Sequence, residues 1–178
     1  MKTLTLLRHA KSTWDDPVAT DFDRPLNKRG RRAARTIGRE MKVRGLRFDR
    51  VLASPALRVV ETLDDVEDGY GAALDPEYDR RIYLASPAAL IDVIHEMDAA
   101  ARLLLVGHNP GLEQLALLLT DGGDLRDEVA IKYPTATIAE ISLPVQHWRD
   151  VKKGLGTLVR FIRPRDLDPT LGPDQDTH

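Results

Sequence analysis

Two apolar runs in this sequence each end close to a histidine. The run TLTLL leads into Arg8 and His9, and the run LLLV is followed by Gly107 and His108. A histidine at a strand end often only caps backbone groups, but the arginine beside His9 changes that interpretation. A guanidinium is costly to bury without an anionic partner, and its planar fork suits phosphate oxygens. The residue types therefore indicate an anion site.

Two further positions indicate the same chemistry. Arg58 falls in the first turn of a predicted helix, where the helix dipole disfavours a cation, so an anionic ligand would explain its presence. His108 directly precedes Asn109 and Pro110 at the start of another predicted helix, whose first amides and dipole favour an anion. The candidate site thus draws arginines and histidines from three separate segments.

Strands and helices alternate along much of the chain. The predicted strands are Lys2 to Leu7, Arg50 to Ala53, Arg102 to Gly107, Thr135 to Leu143 and Thr157 to Ile162. The alternation predicts a three-layer α/β/α domain with a largely parallel central sheet, because parallel neighbours need helical crossovers. Ligands bind at the carboxyl ends of such strands. His9, Ser54 and His108 all follow strand ends, so we expect them to share one crevice.

The predicted helices begin with recognisable caps. A helix rich in arginine and alanine extends from Asn27 to Arg44, and Gly45 closes it. Ser54 is expected to be the N-cap of the next helix, with Pro55 at its first position. The same pattern predicts that Ser86 and Asn109 are the N-caps of two later helices.

Composition limits the classes of protein that fit. The chain has 178 residues, a formal net charge of -2 and no cysteine. We expect one domain over residues 1–163 and an extended, Pro/Asp-rich surface tail over 164–178. The charge balance disfavours a nucleic-acid partner, and no apolar stretch is long enough to cross a membrane. A cytoplasmic protein is therefore expected.

Four stretches, in their order along the chain, resemble the histidine phosphatase superfamily: LLRHAKSTW, DRPLNKRG, LASPALRVVET and LLVGHNPGLEQL. Within it, they are most similar to the SixA-type phosphohistidine phosphatases. The resemblance extends from Lys2 to about Pro164. It implies a phosphoglycerate mutase-like fold and a phosphatase that passes through a phosphohistidine intermediate.

The resemblance also implies roles for particular residues. His9 would be the nucleophile, and Arg8, Arg58 and His108 would bind the phosphoryl group. The positions expected to line the pocket are Lys11, Ser12 and Asn109. No cofactor is implied. A metal site is disfavoured because the histidines are not closely spaced, no carboxylate stands as an obvious third ligand, and the arginines would repel a divalent ion.

This sequence has no clear equivalent of the acidic proton donor that phosphoglycerate mutases and acid phosphatases carry. Glu77 and Asp79 lie near that position, but we interpret both as parts of a solvated loop. Phosphohistidine leaves as an imidazole, which needs little protonation compared with an alkoxide. The stretch between Thr62 and Ser86 is also too short for a lid insertion. Both features favour a phosphorylated protein side chain as the substrate.

Other polar residues receive more ordinary interpretations. Asp21, Asp23 and Arg24 match a family segment that shapes a loop over the site, but a surface salt bridge or turn is an equally good interpretation. The basic run NKRGRRAARTIGRE is interpreted as a solvated helix face rather than a nucleic-acid site. His95 and His147 are interpreted as surface or packing residues.

The sequence therefore predicts a metal-independent phosphatase that acts on phosphohistidine in a signalling protein. One alternative is a general small-molecule acid phosphatase of the same superfamily. Another is a module that binds phosphoproteins without turnover, although binding alone would not need a nucleophile such as His9. The expected partner is a phosphorylated protein or a small phosphorylated molecule, and the oligomeric state stays open.

Overall fold

The structure is a computed structural model that describes residues 1–15, 17 and 20–172. Within this part of the chain, six strands form one sheet: β1 (Lys2–Arg8), β2 (Arg50–Ala53), β3 (Glu77–Tyr78), β4 (Arg102–Gly107), β5 (Ile138–Leu143) and β6 (Thr157–Ile162). Their order is β3-β2-β4-β1-β5-β6. The first four are parallel neighbours, whereas β5 runs antiparallel to both β1 and β6. The predicted, largely parallel sheet is confirmed, and the short strand β3 extends one edge of it.

The α-helices of the described chain are α1 (Lys28–Val43), α2 (Leu57–Tyr70), α3 (Pro87–His95), α4 (Gly111–Leu119), α5 (Asp124–Ile131) and α6 (Pro164–Leu167). Two predicted caps are confirmed. The Asn27 side chain accepts a hydrogen bond from the Gly30 amide at 2.7 Å, and the Ser86 hydroxyl accepts one from the Ala89 amide at 3.2 Å. Both caps satisfy amides that the first helical turn leaves without intrahelical partners.

Two other caps are placed differently from the prediction. Ser54 is not the N-cap of α2, because its amide still donates to the Val106 carbonyl as a continuation of the sheet. The helix begins three residues later, and Ala56 takes the N-cap position. Asn109 is likewise one residue too early, since Pro110 is the N-cap of α4. In both segments a small polar residue followed by proline marks a turn into a helix rather than the cap itself.

Helices cover both faces of the sheet. On one face, α1, α2 and α6 pack over Leu104 and Val106 of the central strand β4. On the other face, α3, α4 and α5 pack over Leu103 and Leu105 of the same strand. The alternation follows from the two-residue period of a strand, which points successive side chains to opposite faces. The predicted three-layer architecture is confirmed.

Helices α1 and α2 approach each other closely through glycines. A Cβ atom at Gly38 would collide with the Val66 carbonyl oxygen, and one at Gly69 would collide with that of Arg35. Asp65 of α2 then pairs with two cations of α1, at 3.3 Å from Arg31 and 3.2 Å from Arg35. Part of the predicted solvated basic face is therefore an ion-pair network between helices.

The link between α2 and α3 is short. It contains only β3 and a 3-10 helix, Arg80–Ile82, so the predicted lack of a large lid insertion is confirmed. None of the described helices combines the length and apolar character that a transmembrane segment requires.

The expected extended tail is wrong for residues 164–171. They form α6 and a 3-10 helix, Pro169–Leu171, and Leu171 is buried in the cluster beneath α1. Arg32 of α1 donates to the Thr170 hydroxyl at 3.0 Å. Composition suggested a surface segment, but its leucines anchor it to the domain. Residues 173–178 lie outside the described part of the chain.

Candidate active site

Three neighbouring parallel strands, β2, β4 and β1, end at the same edge of the sheet. Ser54 follows β2, His108 follows β4 and His9 follows β1, so these side chains meet there. The ring centroids of His9 and His108 are 5.3 Å apart. The Ser54 hydroxyl lies 2.7 Å from Nε2 of His108. The structure thus brings the two predicted histidines into one site.

A cleft opens at this edge of the sheet. The residues that line it are Arg8, His9, Asp21, Arg24, Arg58, Leu84, His108, Asn109 and Pro110. Its floor is formed by the buried side chains of Arg8, His9, Arg58 and His108, of which Arg58 is only 2% exposed. Its mouth carries Leu84 and Pro110, both exposed. The four residues predicted to handle phosphate therefore lie together at the bottom of an open cleft.

His9 is held as a neutral imidazole with a defined tautomer. Its Nδ1 lies 2.7 Å from the Ala10 carbonyl oxygen, which can only accept, so Nδ1 carries the proton and Nε2 keeps its lone pair. Burial, reinforced by the positive charge of Arg8, lowers the pKa of His9 well below its ordinary value. At neutral pH the ring is therefore uncharged, and Nε2 is available as a nucleophile.

His108 is also neutral, and both of its nitrogens are engaged. Arg58 Nη2 lies 3.3 Å from Nδ1 of His108 and can only donate, so Nδ1 accepts and Nε2 donates to Ser54. Burial and the nearby charge of Arg58 lower the pKa of His108 to about 3. The ring therefore helps to hold Arg58 in place.

The main-chain carbonyl of Tyr133 organises another part of the site. It accepts hydrogen bonds from Arg8 Nη1 at 2.9 Å and from Asn109 Nδ2 at 3.1 Å. Tyr133 is itself fixed, because its ring is buried and its hydroxyl donates to the Leu6 carbonyl at 2.7 Å. The contact was not predicted from the sequence, because Tyr133 is more than one hundred positions away from Arg8 in the chain.

Asp21, for which the sequence left open a loop over the site or a surface salt bridge, lines the cleft. Its Oδ2 lies 3.1 Å from Arg58 Nη2 and accepts a hydrogen bond from the Tyr83 hydroxyl at 2.5 Å. Burial favours the protonated form of Asp21, but the Tyr83 hydrogen bond and the Arg58 charge outweigh it and lower the pKa of Asp21 to about 2. Arg24 also pairs with this carboxylate, at 3.1 Å. Asp21 and Arg24 thus line the cleft instead of forming only a surface salt bridge.

The three residues expected to line the pocket are placed differently from one another. Asn109 lines the cleft. Ser12 reaches it only through Arg24, whose Nη1 donates to the Ser12 hydroxyl at 2.6 Å. Lys11 is buried and lines a separate pocket with Arg29 and Lys132. The geometry therefore favours direct ligand contact for Asn109 alone among these three.

Thr62 connects the nucleophile segment to α2, a further contact that the sequence did not reveal. Its hydroxyl accepts a hydrogen bond from the Ala10 amide at 2.9 Å and donates one to the Arg58 carbonyl at 2.6 Å. Because Ala10 follows His9 directly, this pair of bonds fixes the nucleophile segment relative to the helix that carries Arg58. The hydroxyl is completely buried, which makes both bonds costly to lose.

Glu77 and Asp79 lie away from the cleft. Glu77 pairs with Arg50 at 2.6 Å on the exposed sheet edge, and Asp79 pairs with Arg81 at 2.7 Å. Neither residue is among those that line the cleft. Within the described residues, no group of three or more histidine, aspartate or glutamate side chains could hold a metal ion.

The comparisons with known proteins agree with this geometry. Residues 4–82 match the model of the histidine phosphatase superfamily (branch 1). An uncharacterized protein of Mycobacterium tuberculosis is 37% identical over 164 residues, which cover 89% of this chain and 100% of the relative. A crystal structure from Agrobacterium tumefaciens, assigned as the phosphohistidine phosphatase SixA, is 28% identical with a TM-score of 0.76 and covers 92% of this chain and 98% of that one.

A second solved structure with the SixA assignment, from Nakamurella multipartitia, is 26% identical and also has a TM-score of 0.76. It covers 92% of this chain and 96% of that one. The chain therefore belongs to the histidine phosphatase superfamily. It is a phosphatase with a histidine nucleophile and the phosphoglycerate mutase-like fold of SixA.

Proposed function

We propose that this protein dephosphorylates phosphohistidine on a signalling protein, with His9 as the nucleophile. The observation that carries this proposal is the state of His9: a buried, neutral ring whose proton is on Nδ1 and whose Nε2 lone pair is available. The likeness to proteins assigned as phosphohistidine phosphatases supports the same substrate.

The proposed reaction has two displacements at phosphorus. First, Nε2 of His9 forms a bond to phosphorus while the substrate P–N bond breaks, and the departing imidazole keeps the electron pair and takes a proton from solvent. Second, water attacks phospho-His9, the bond to Nε2 breaks, phosphate leaves and a proton is released. Splitting one difficult displacement into two lowers the barrier of each.

Arg8 and Arg58 supply the charge that phosphoryl transfer requires. Both guanidinium groups are buried, at 8% and 2% exposure, so their attraction for phosphoryl oxygens is screened less than it would be in water. Nε of Arg58 has no hydrogen-bond partner among the described residues, so this donor remains for an anionic ligand. Positioning and charge neutralisation are the main requirements of phosphoryl transfer, and the proposed mechanism meets them without a metal ion.

The acidic side chain that lines the cleft supports phosphohistidine over alkyl phosphates as the substrate. Among the described residues that line the cleft, Asp21 is the one carboxylic acid, and its pKa of about 2 keeps it ionised at neutral pH. It therefore has no proton to donate to an alkoxide. An imidazole leaving group, whose conjugate acid has a pKa near about 6.5, departs with little such help.

The open mouth of the cleft supports a substrate attached to a protein. The α2–α3 link contains no inserted lid, and Leu84 and Pro110 at the mouth are exposed. A side chain on another protein could therefore reach the buried floor without a closing movement. The position of Asn109, which lines the cleft beside Arg8, supports a contact with the same ligand.

Substrate comparison tests the proposal directly. With EDTA present, kcat/KM should be highest for a phosphohistidine peptide, lower for p-nitrophenyl phosphate, and orders of magnitude lower for 3-phosphoglycerate. The ratio kcat/KM is the quantity to compare, because breakdown of phospho-His9 is common to all substrates and can limit kcat. Equal kcat/KM values would indicate a general acid phosphatase, and tight binding without turnover would indicate a binding module. Inhibition by EDTA that a metal ion reverses would contradict the metal-independent mechanism.

A further inference from the structure

Leu84 occupies an unusual position at the mouth of the cleft. Its side chain lines the same cleft as His9 and is 55% exposed to solvent. Its backbone has a φ angle of 49°, in the left-handed region that favours glycine. An exposed leucine gains little from burial, and a leucine in this conformation is strained. Neither packing nor local backbone preference accounts for leucine here.

The backbone on both sides of Leu84 is fixed. Tyr83 on one side is anchored through its hydroxyl to Asp21 and through its amide to the Arg80 carbonyl. Ala85 on the other side lies so close to Gly111 of α4 that a Cβ atom at the glycine would collide with the Ala85 carbonyl oxygen. The leucine side chain is therefore presented at the mouth by a rigid segment.

The direction of the reaction places the leaving group beside this side chain. In an in-line displacement the leaving atom departs opposite the nucleophile. Because His9 is at the buried floor, with 5% exposure, the leaving group must lie toward the mouth. The exposed apolar side chains there are Leu84 and Pro110. A flat ring such as imidazole presents a face that apolar side chains can pack against.

We propose that Leu84 is a specificity-determining residue that packs against the ring of the leaving group. This inference rests on the proposed function, since it takes His9 as the nucleophile and a ring-bearing phosphoryl donor as the substrate. It predicts that Leu84 discriminates by shape: a phosphoryl donor with a ring benefits from the contact, and one without a ring does not.

The test compares Leu84→Gly and Leu84→Ala with the wild-type protein on three substrates: a phosphohistidine peptide, p-nitrophenyl phosphate and phosphoramidate, which has no ring. We expect kcat/KM for the two ring substrates to fall roughly tenfold, as for the loss of an apolar contact in a substrate pocket. Turnover of phosphoramidate should not change. Leu84→Gly should not lower the melting temperature, because glycine adopts the left-handed conformation without strain.

Asp75→Gly is the matched control. Asp75 also has a left-handed φ, of 51°, but is exposed on a different loop away from the cleft, so this change should leave all three activities unaltered. Equal losses on ring and ringless substrates, or no loss on any, would overturn the role of Leu84. The proposed function fails separately, if wild-type kcat/KM for phosphohistidine is no higher than for 3-phosphoglycerate. In that case p-nitrophenyl phosphate and phosphoramidate still decide the role of Leu84.

Discussion

Asp21 binds Arg58 through both its side chain and its main chain. Its carboxylate Oδ2 lies 3.1 Å from Nη2 of Arg58, and its carbonyl oxygen accepts a hydrogen bond from Nη1 at 2.6 Å. The guanidinium is thus oriented before a substrate arrives, which is the preorganisation that transition-state stabilisation requires. Tyr83 in turn fixes Asp21, and its ring meets that of His108 edge-on, with centroids 5.4 Å apart.

The pairing of Asp21 with Arg58 predicts that Asp21→Asn lowers kcat without raising KM. We expect kcat to fall roughly tenfold to a hundredfold, the effect of losing a charge-assisted hydrogen bond. The KM should not rise, because the change removes a negative charge from a cleft that binds anions. Steady-state kinetics with p-nitrophenyl phosphate measures both.

Asp23→Asn is the control for that experiment. Asp23 belongs to the same 3-10 helix, Asp21–Asp23, but is exposed and accepts its side-chain hydrogen bond from Thr20. We expect near wild-type kinetics for it. If kcat fell equally in both variants, the loss would reflect the loop as a whole. The specific pairing of Asp21 with Arg58 would then not be the cause.

The arginines of the cleft floor should each contribute strongly to the rate. Arg8→Ala and Arg58→Ala are expected to lose about 2 to 4 kcal/mol of transition-state stabilisation in kcat/KM, as for other preorganised donors. Their affinity for inorganic sulfate should weaken as well. Arg81→Ala, which changes an exposed arginine paired with Asp79 and Glu96, provides the comparison. A variant of Arg58 that lost only thermal stability would show that this side chain does not act on substrate.

Acid should destabilise the fold through the two histidines of the site. Their pKa values are lowered in the folded protein, that of His108 to about 3, so the unfolded chain binds protons near pH 6.5 that the folded chain does not. The free energy of unfolding should therefore fall as the pH drops below about 6.5, by up to about 1.4 kcal/mol per pH unit for each histidine. For Asp21, with its lowered pKa, a further loss begins below its ordinary value of 3.8 and continues toward about 2.

Chemical denaturation over pH 4 to 7 tests this linkage, since the window covers the acid side of a pKa of about 6.5. His108→Gln should flatten the dependence on pH, because one of the two protons is no longer bound on unfolding. An unaltered slope in His108→Gln would show that folding does not lower the pKa of His108.

The fold and the core of the site could be predicted because they depend on patterns within short stretches of the sequence. Apolar runs and the alternation of strands with helices define the sheet, and Arg8, His9 and His108 lie at strand ends that parallel pairing must bring together. Arg58 could be found because its position in a first helical turn conflicts with the helix dipole.

The other contacts of the site depend on residues far apart in the chain. Asp21 and Tyr83 are hydrogen-bonded although 62 positions separate them in the chain. Both lie in short segments without helical or strand periodicity. Ser54 was expected to cap a helix because a serine followed by proline is typical of a helix start. That local pattern contains no sign that the hydroxyl is paired with His108. The high proline and aspartate content of residues 164–178 indicated an extended tail, although Leu167 and Leu171 pack against the core of the domain.

Trapping of the phosphorylated enzyme tests whether His9 is the nucleophile. Wild-type protein mixed briefly with labelled substrate and quenched should carry one phosphoryl group on Nε2 of His9, stable in base and labile in acid, as identified by peptide mapping and NMR of the phosphohistidine. His9→Ala should show no label, while still binding sulfate through Arg8 and Arg58. A phosphoryl group found instead on His108, Ser12 or Ser54, or turnover retained in His9→Ala, would show that His9 is not the nucleophile.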